Sequence, residues 1–559
     1  MTILTPVTLW KDFDDTLPFD DEVLLEWTQD GAVVRELAFS GRKTASGRVR
    51  IHATYVFPEG VESFPAVLVL FEAGLPFDMG LVKMLLSWGY AVFCVDYCGE
   101  NASGHFTRYP ADVDYANYAR AGRHLEYAEP TAKETSWYEW AGVARYAARY
   151  LKERKEVTKV GALGLRTGGE VLFKIAPYAP ISCFISVCAA GWLAYRDIAK
   201  FANSEQRTFD EERHRFIAGI DSQSYAPHVK CPVLLISAVN DKKYNYDRVY
   251  DTFQQINPAV EKAFLFSAHG SGLVGSHSID NIKLFLDKYL RDRAIFVSRP
   301  VTLGVEEDAK GNLVVRPKFD KLGEIKEYGI FYTERATDFK TRDWTRVLGR
   351  VEDLEEGVGV IPFSIYEGTK KALVYAFALY TNGFSVTSKI MEVNPKKKYA
   401  NSYLKSRVIY ASREDSMNGF SVFRRRARTI ADCFAAGVKS GVRLEAGYGG
   451  IQGITADSGL VSYRVSEPGF EPPEGASFRF DAYSKEGVKL KVVFYLDDEE
   501  NVSYASEVEI GAGGKWKSVM FDADDFKSEV GAPLRSFHGT IAVAFFGEGS
   551  FLINNVVWL

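Results

Sequence analysis

The amino-acid sequence predicts an α/β domain with a mostly parallel, doubly wound sheet, followed by two all-β sandwich domains. From about residue 48 to 292, continuous apolar strands alternate with segments of helical period. Short segments rich in β-branched and aromatic residues begin near residue 299, and a second such series begins near residue 402. Buried parallel strands read as continuous apolar runs, whereas sandwich strands alternate apolar and polar residues. The pattern therefore changes from α/β to all-β along the chain.

A chain of 559 residues is too long for one hydrophobic core. The strand pattern changes near Arg299-Pro300, and the basic segment NPKKKYANS marks a second boundary. We expect three domains, at residues 1–298, 299–397 and 398–559. The first has an N-terminal extension and a polar helical insert at about 195–225, which would cap the edge of the sheet where open α/β sheets bind ligands.

Composition narrows the classes of function. The net charge of −5 offers no basic field for nucleic acid or for an anionic membrane. The N-terminal segment lacks the features of a signal peptide, and no apolar run approaches 18 residues. The six cysteines follow neither a disulfide framework nor metal-ligand spacing. We expect a cytoplasmic protein with reduced thiols, no cofactor and no metal, and with no nucleic-acid or membrane partner.

The segment KVGALGLRTGGE, residues 159–170, carries the most specific signal. An apolar strand runs through a glycine-flanked corner into a helix, as in the Gly-x-Ser-x-Gly turn that exposes a nucleophilic serine. Gly164 and Gly168 keep that spacing, but Arg166 stands at the serine position. A guanidinium is always protonated and has no lone pair with which to attack a carbonyl. Arg166 therefore cannot replace the serine as a nucleophile.

Four motifs, in this order, resemble those of the α/β-hydrolase superfamily, in its branch of dienelactone hydrolases and acetyl xylan esterases. They are AVLVLFEAG, GYAVFCVDYCGE, KVGALGLRTGGE, and CPVLLISAVND followed by His269. The resemblance covers about residues 48–292 and implies the α/β-hydrolase fold and an esterase-type ancestry. It also implies that Arg166, Asp241 and His269 occupy the positions of the nucleophile, the acid and the histidine.

A second departure from the superfamily is Glu72-Ala73-Gly74, where His-Gly is frequent. A carboxylate near an oxyanion hole would oppose the negative charge that develops there. An unpaired buried arginine is costly, so Arg166 requires a partner. We predict that Glu72, Asp241 or both hold the Arg166 guanidinium in one pocket.

The roles of Asp241 and His269 have more than one interpretation. Asp241 could orient His269, pair with Arg166, or cap the turn in VNDKKYN. His269 could act as a general base on water or be a relic of descent. Its rival, His277, lies closer to the following helix and more naturally caps it.

Three further residues are candidates for ligand binding. Thr167 carries a hydroxyl, but the residue after the nucleophile normally contributes its backbone N–H to the oxyanion hole. Cys98 could be a displaced nucleophile if a cation lowered its pKa, although a buried, inert thiol is the favoured interpretation. Tyr97 is more naturally a packing aromatic, a role compatible with ligand contact.

The β regions carry weaker signals. The middle region resembles a fibronectin type III-like sandwich, through EYGIFYTE, Trp344 and YAFALYTNGFSVTS. The last region resembles the galactose-binding-like jelly rolls of carbohydrate-binding modules. There, four aromatic residues could form a sugar-stacking platform, whereas Trp558 is expected in the core. The four are Tyr483, Tyr495, Tyr504 and Trp516.

The sequence leaves three functional hypotheses. The first is a hydrolase-derived pseudoenzyme whose Arg166 pocket binds an anionic or carbohydrate-related small molecule or a glycan. The second is an active carbohydrate-ester hydrolase or lyase that uses Asp241 and His269 with water, Thr167 or Cys98, and with Arg166 as electrostatic stabiliser. The third is a scaffold whose pocket is filled by the arginine and its carboxylates.

Overall fold

The structure is a computed structural model of the whole chain. It describes residues 3–99, 104–196, 198–201, 209–239, 241, 244–267, 276–320, 324–335, 338–395, 397–423, 441–457, 459–497 and 501–559.

A nine-stranded sheet forms the first region of the chain. Its strands are β1 (Glu22–Gln29), β2 (Ala32–Lys43), β3 (Arg48–Pro58), β4 (Phe64–Leu70), β5 (Ala91–Asp96), β6 (Val157–Leu165), β7 (Cys183–Val187), β8 (Val233–Ala238) and β9 (Lys262–Ser267). The spatial order is β1-β2-β3-β5-β4-β6-β7-β8-β9. The pairs from β5 through β9 are parallel, and those among β1, β2, β3 and β5 are antiparallel. The predicted mostly parallel sheet is confirmed.

Helices cover both faces of this sheet. They are α1 (Pro6–Leu9), α2 (Met79–Ser87), α3 (Arg123–Glu126), α4 (Ser136–Lys152), α5 (Thr167–Ile175), α6 (Glu211–Gly219), α7 (Ser222–Tyr225), α8 (Val249–Gln255) and α9 (Ser276–Leu290). Leu68 of β4 packs in one buried cluster with Trp140 of α4. Its neighbour Val67 points to the opposite face and belongs to the cluster that holds Phe285 of α9. This doubly covered sheet explains the continuous apolar strands in the sequence.

The N-terminal extension is part of the same sheet. Strands β1 and β2 precede the region in which the sequence predicts strands, and they add an antiparallel hairpin to the sheet. Strand β1 forms the edge and is almost entirely exposed, with only Leu24 classed as partly buried along its length. An exposed edge strand lacks the apolar alternation that identifies a half-buried strand, so the sequence pattern gave no signal there.

The middle region contains two antiparallel sheets. Its strands are β10 (Thr302–Glu307), β11 (Leu313–Lys318), β12 (Ile325–Thr333), β13 (Thr345–Leu348), β14 (Ile361–Pro362), β15 (Ala372–Tyr380), β16 (Ser385–Thr387) and β17 (Met391–Val393). The first sheet has the order β10-β11-β14, and the second has the order β13-β12-β15-β16, with β17 also paired to β15.

The middle region packs directly on the first. The Phe266 amide at the end of β9 donates to Thr387 Oγ1 at 2.9 Å. A bidentate ion pair joins Arg342 to Asp247, with N–O distances of 2.5 and 2.8 Å, and both side chains are fully buried. These contacts make the two regions one continuous packed body.

The last region is again antiparallel. Its elements are α10 (Ser412–Asp415), β18 (Val408–Tyr410), β19 (Ser421–Val422), β20 (Arg443–Ala446), β21 (Gln452–Thr455), β22 (Leu460–Ser462), β23 (Phe478–Tyr483), β24 (Val488–Tyr495), β25 (Ser503–Ile510), β26 (Lys517–Phe521), β27 (Ala542–Gly547) and β28 (Leu552–Trp558). A six-stranded sheet, β20-β21-β28-β23-β26 with β18 on β28, accompanies a five-stranded sheet, β19-β22-β27-β24-β25. Trp558 is buried between them, as predicted. In the part of the chain that the structure describes, no helix is both long enough and apolar enough to cross a bilayer.

Candidate functional site

The turn between β6 and α5 keeps the shape of a nucleophile elbow. Arg166 has φ 51° and ψ −113°, a strained conformation for a residue with a side chain. A Cβ on Gly164 would lie 2.6 Å from the Gly168 carbonyl oxygen, and a Cβ on Gly168 would lie 2.1 Å from that of Leu70. Only glycine fits at these two positions. The strained turn is therefore present although the serine is not.

Arg166 is buried and held by two carboxylates. Its relative exposure is 4%, and its two terminal nitrogens lie 3.4 and 3.3 Å from the Asp241 oxygens. Its Nε lies 3.5 Å from Glu72 Oε2. The predicted ion pair is confirmed, with both candidate partners. Burial alone would lower the pKa of Arg166, but Asp241 and, more weakly, Glu72 outweigh it and raise the pKa, so the guanidinium stays charged.

Tyr244 closes the site from another side. The guanidinium carbon of Arg166 lies 5.4 Å from the centre of the Tyr244 ring, within cation–π range. The Tyr244 amide also donates to Asp241 Oδ1 at 3.1 Å. Asp241 therefore both pairs with Arg166 and caps the turn that follows β8. Sequence reasoning missed Tyr244, although its place three residues after Asp241 fits such a turn.

The hydroxyl of Thr167 is fully engaged inside the protein. Its Oγ1 accepts from the Ala73 amide at 2.6 Å and lies 2.9 Å from the Tyr97 hydroxyl. The Tyr97 hydroxyl donates its proton to the Phe71 carbonyl at 2.6 Å. Because a phenol has one proton, Thr167 must donate its own to the Tyr97 oxygen. Thr167 and Tyr97 thus lie together beside Arg166, and their hydroxyls are hydrogen-bonded to each other.

This arrangement affects the oxyanion hole. In α/β-hydrolases the oxyanion hole is formed by two backbone N–H groups. One belongs to the residue after the nucleophile, and the other to a loop that follows an earlier strand of the sheet. Here the amide of Ala73, in the loop after β4, is occupied by Thr167 Oγ1. A loop donor that could stabilise a developing oxyanion is already used.

The cysteines near the site are buried thiols. Cys98 is buried and its sulfur lies 3.8 Å from Asp96 Oδ1, to which it donates. The same Asp96 accepts from the Gly99 and Thr107 amides. Burial raises the pKa of Cys188, near Asp241 and Arg166, to about 12. These contacts agree with the inert interpretation of Cys98.

The predicted histidine, His269, lies outside the described residues, so its position relative to Asp241 stays a prediction. Its rival His277 is the second residue of α9 and is exposed. Among the other predicted site residues, the structure brings Glu72, Arg166 and Asp241 into one cluster. It places Tyr97 and Thr167 next to them.

A second buried polar cluster lies behind the elbow, and sequence reasoning missed it. Glu170 of α5 accepts from the Ala190 amide at 2.6 Å and from the Ser222 hydroxyl of α7. Lys174, one turn along α5, is also buried, and burial lowers its pKa to about 8. The sequence could have indicated this cluster, because Glu170 and Lys174 are charged residues of a short helix between two buried strands. This cluster fixes α7 and the chain after β7 against the elbow helix.

The predicted sugar-stacking platform in the last region is only partly assembled. Trp516 and Tyr483 lie 5.6 Å apart between ring centres, and both are partly exposed. Tyr495 is buried and stacks on Phe423 at 5.8 Å, so it cannot offer a face to a ligand. The prediction for Tyr495 is wrong because its position at the end of β24 points into a small buried cluster.

No protein-family model matches the chain, and no curated protein matches it. Solved structures similar to it include acetyl xylan esterase 1 from Thermoanaerobacterium sp., at 16% identity and a TM-score of 0.38 over 48% of this chain and 90% of that one. An acetyl xylan esterase from Paenibacillus sp. R4 is similar at 18% identity, with a TM-score of 0.38 over 49% and 90%. A dienelactone hydrolase from Anabaena variabilis is similar at 16% identity, with a TM-score of 0.31 over 46% and 98%. The chain's own strand order and elbow assign its first region to the α/β-hydrolase fold.

Proposed function

We propose that this chain is a hydrolase-fold binding protein without serine-esterase activity, and that its Arg166 pocket takes a hydroxyl-rich, carbohydrate-related ligand. The observation that carries the proposal is Arg166 itself, which occupies the elbow in the strained conformation of a nucleophile while pairing with Glu72 and Asp241. Such strain persists only where the surroundings enforce it, and it is common at functional sites.

Two positions support the proposed absence of serine-type acyl transfer. Arginine cannot attack a carbonyl, because its protonated guanidinium has no free lone pair. The only hydroxyl directly beside it in sequence, that of Thr167, is bonded to the Ala73 amide and to Tyr97. A hydrolase of this fold needs both a nucleophile and free oxyanion donors.

The charges of the pocket favour a neutral ligand over an anion. One guanidinium faces two carboxylates, so these three described side chains carry a net formal charge of −1. An anionic ligand would have to compete with Glu72 and Asp241 for the same N–H groups. Sugar hydroxyls can instead accept from the guanidinium and donate to the carboxylates at the same time. The partly exposed pair Trp516 and Tyr483 is a second surface of a kind that suits sugar rings.

Calorimetric titration with neutral oligosaccharides and with their uronic-acid counterparts tests this proposal. We expect neutral saccharides to bind, and Arg166→Gln to weaken binding about tenfold or more, since hydrogen bonds to charged groups contribute about 1.5–3 kcal/mol. Arg316→Gln is the matched control, because Arg316 pairs with Glu306 at the surface of the middle region. Equal affinity in the Arg166→Gln variant would overturn the proposal, whereas tighter binding of uronic acids would replace the neutral ligand by an anionic one.

The second candidate is an active carbohydrate-ester hydrolase or lyase in which Arg166 stabilises developing negative charge. The contact between Arg166 and Asp241, the residue at the position of the catalytic acid, favours it. In that case turnover requires His269 as the base on water, and the rate falls as pH drops because the base becomes protonated. Acetate release by the wild type that disappears in His269→Ala would establish this candidate.

A further inference from the structure

A second cluster of ligand-type side chains lies on the antiparallel side of the nine-stranded sheet. It consists of Glu36 on β2, His52 on β3 and His105 in the segment after β5. Glu36 pairs with Thr54 across the β2–β3 ladder, and Ala38 pairs with His52. Because side chains two residues apart share a face, Glu36 and His52 project from the same face as diagonal neighbours. His105 reaches them from the segment that leaves the sheet.

The three side chains converge on one point. His105 Nδ1 lies 3.2 Å from Glu36 Oε2, and His52 Nε2 lies 3.9 Å from the same oxygen. One ligand atom from each residue fits within a mutual distance of 4.8 Å. Ligands about 2.0–2.1 Å from a tetrahedral zinc ion lie about 3.3 Å from one another. The observed spacing therefore needs only small side-chain movements to close around an ion.

The second observation is the state of His52. Its ring is 3% exposed, and neither ring nitrogen has a hydrogen-bond partner among the described residues. Buried polar groups are nearly always satisfied, and exceptions require an explanation such as an ion.

We propose that Glu36, His52 and His105 form a binding site for a divalent transition-metal ion of the zinc type. Two imidazoles and one carboxylate suit zinc and its neighbours in the first transition series, whereas magnesium and calcium prefer oxygen ligands alone. His105 is 46% exposed and Glu36 19% exposed in their side chains, so the site opens to solvent on one side. Three protein ligands leave one coordination position for water or a small ligand.

An ion at this site would fasten the segment around His105 to the sheet. That segment already forms two backbone hydrogen bonds between Arg50 and Arg108, at 3.0 and 2.8 Å. The His52 amide also donates to Thr107 Oγ1 at 3.0 Å, and the Thr107 amide donates to Asp96 at the end of β5. The ion would link the side chain of His105 to those of Glu36 and His52, next to these backbone contacts. Its role would be to stabilise this segment against the sheet.

Zinc titration of the chelator-treated full chain by calorimetry tests the proposal. We expect one site in the wild type and at least about tenfold weaker binding in both Glu36→Gln and His105→Ala, because each removes one of three ligands. Both side chains are partly exposed, so the variants should keep the fold, which circular dichroism verifies. His538→Ala, an exposed histidine of the last region, is the control that should bind zinc like the wild type.

Cobalt(II) absorption provides a second readout. A tetrahedral site with nitrogen ligands should give visible d–d bands in the wild type and in His538→Ala, and these bands should be lost in His105→Ala. The proposal is overturned if the double variant Glu36→Gln/His105→Ala binds zinc with the same stoichiometry and affinity as the wild type, or if the wild type binds no zinc. Neither result depends on the ligand or activity of the Arg166 pocket.

Discussion

The Ala73 amide donates a hydrogen bond to Thr167 Oγ1 at 2.6 Å, directly beside the elbow residue Arg166. Under the proposed function, two positions oppose serine-hydrolase chemistry: Arg166 stands at the nucleophile position, and the Ala73 amide is occupied. Replacing Arg166 by serine alone should leave the Ala73 amide occupied by Thr167.

The first prediction concerns the residue at position 166 and the hydrogen bond between Ala73 and Thr167. Arg166→Ser should hydrolyse p-nitrophenyl acetate poorly, and Arg166→Ser/Thr167→Ala should be at least about tenfold faster, since one oxyanion donor contributes about 10²–10³-fold. Initial rates measure the difference. The matched control is Arg166→Ser/Thr167→Ser, which keeps a hydroxyl for Ala73 and should stay slow. Equal rates in the two double variants would show that the Thr167–Ala73 bond does not limit catalysis.

The second prediction concerns the charge cluster around Arg166. Arg166→Ala removes the guanidinium that Glu72 and Asp241 share, so it should lower the free energy of unfolding by about 3 kcal/mol. Urea denaturation measures the loss. Arg166→Ala/Glu72→Gln also removes one of the two carboxylate charges and should recover part of the lost stability. A double variant less stable than the single one would contradict the electrostatic explanation.

The third prediction concerns the contact between the first and middle regions. Asp247→Asn should lower the free energy of unfolding by about 3–5 kcal/mol, because it leaves Arg342 charged and buried without its carboxylate. Glu306→Gln breaks a surface pair with Arg316 and should cost less than about 1 kcal/mol. Thermal unfolding compares the two variants. Similar melting temperatures for both would mean that the buried pair does not hold the regions together.

The fourth prediction concerns the pH dependence of stability in the metal-free protein. The pKa of His52 is about 4 in the folded chain, against 6.5 for an unperturbed histidine. The unfolded state therefore binds more protons between these pH values. The free energy of unfolding should therefore fall as pH drops from 6.5 to 4, by up to about 3 kcal/mol from this residue.

Denaturation curves across that pH range measure the effect of His52. In His52→Gln this contribution should vanish, so the variant's stability should change less with pH than that of the wild type. Parallel pH dependences would assign the effect to other groups. The buried Asp221 is not one of them, because burial raises its pKa to about 6 and its contribution therefore has the opposite sign.

Local patterns were enough for the elbow and its ion pairs. Gly164 and Gly168 fix the turn through spacing alone, and the cost of an isolated buried arginine predicts a carboxylate partner for Arg166. The occupied Ala73 amide could not be predicted in this way, because it depends on a side chain 94 residues away. The same holds for the Glu36–His52 neighbourhood, which depends on the register of two strands at one edge of the sheet.

The most direct test follows binding and acetate release in one experiment. The wild type and Arg166→Gln are each titrated with a neutral oligosaccharide and with its acetylated form, while heat and free acetate are both recorded. We expect saturable binding to the wild type, loss of that binding in Arg166→Gln, and no acetate from either protein. Steady acetate release by the wild type, absent from His269→Ala, would contradict it and make this chain an esterase without a serine.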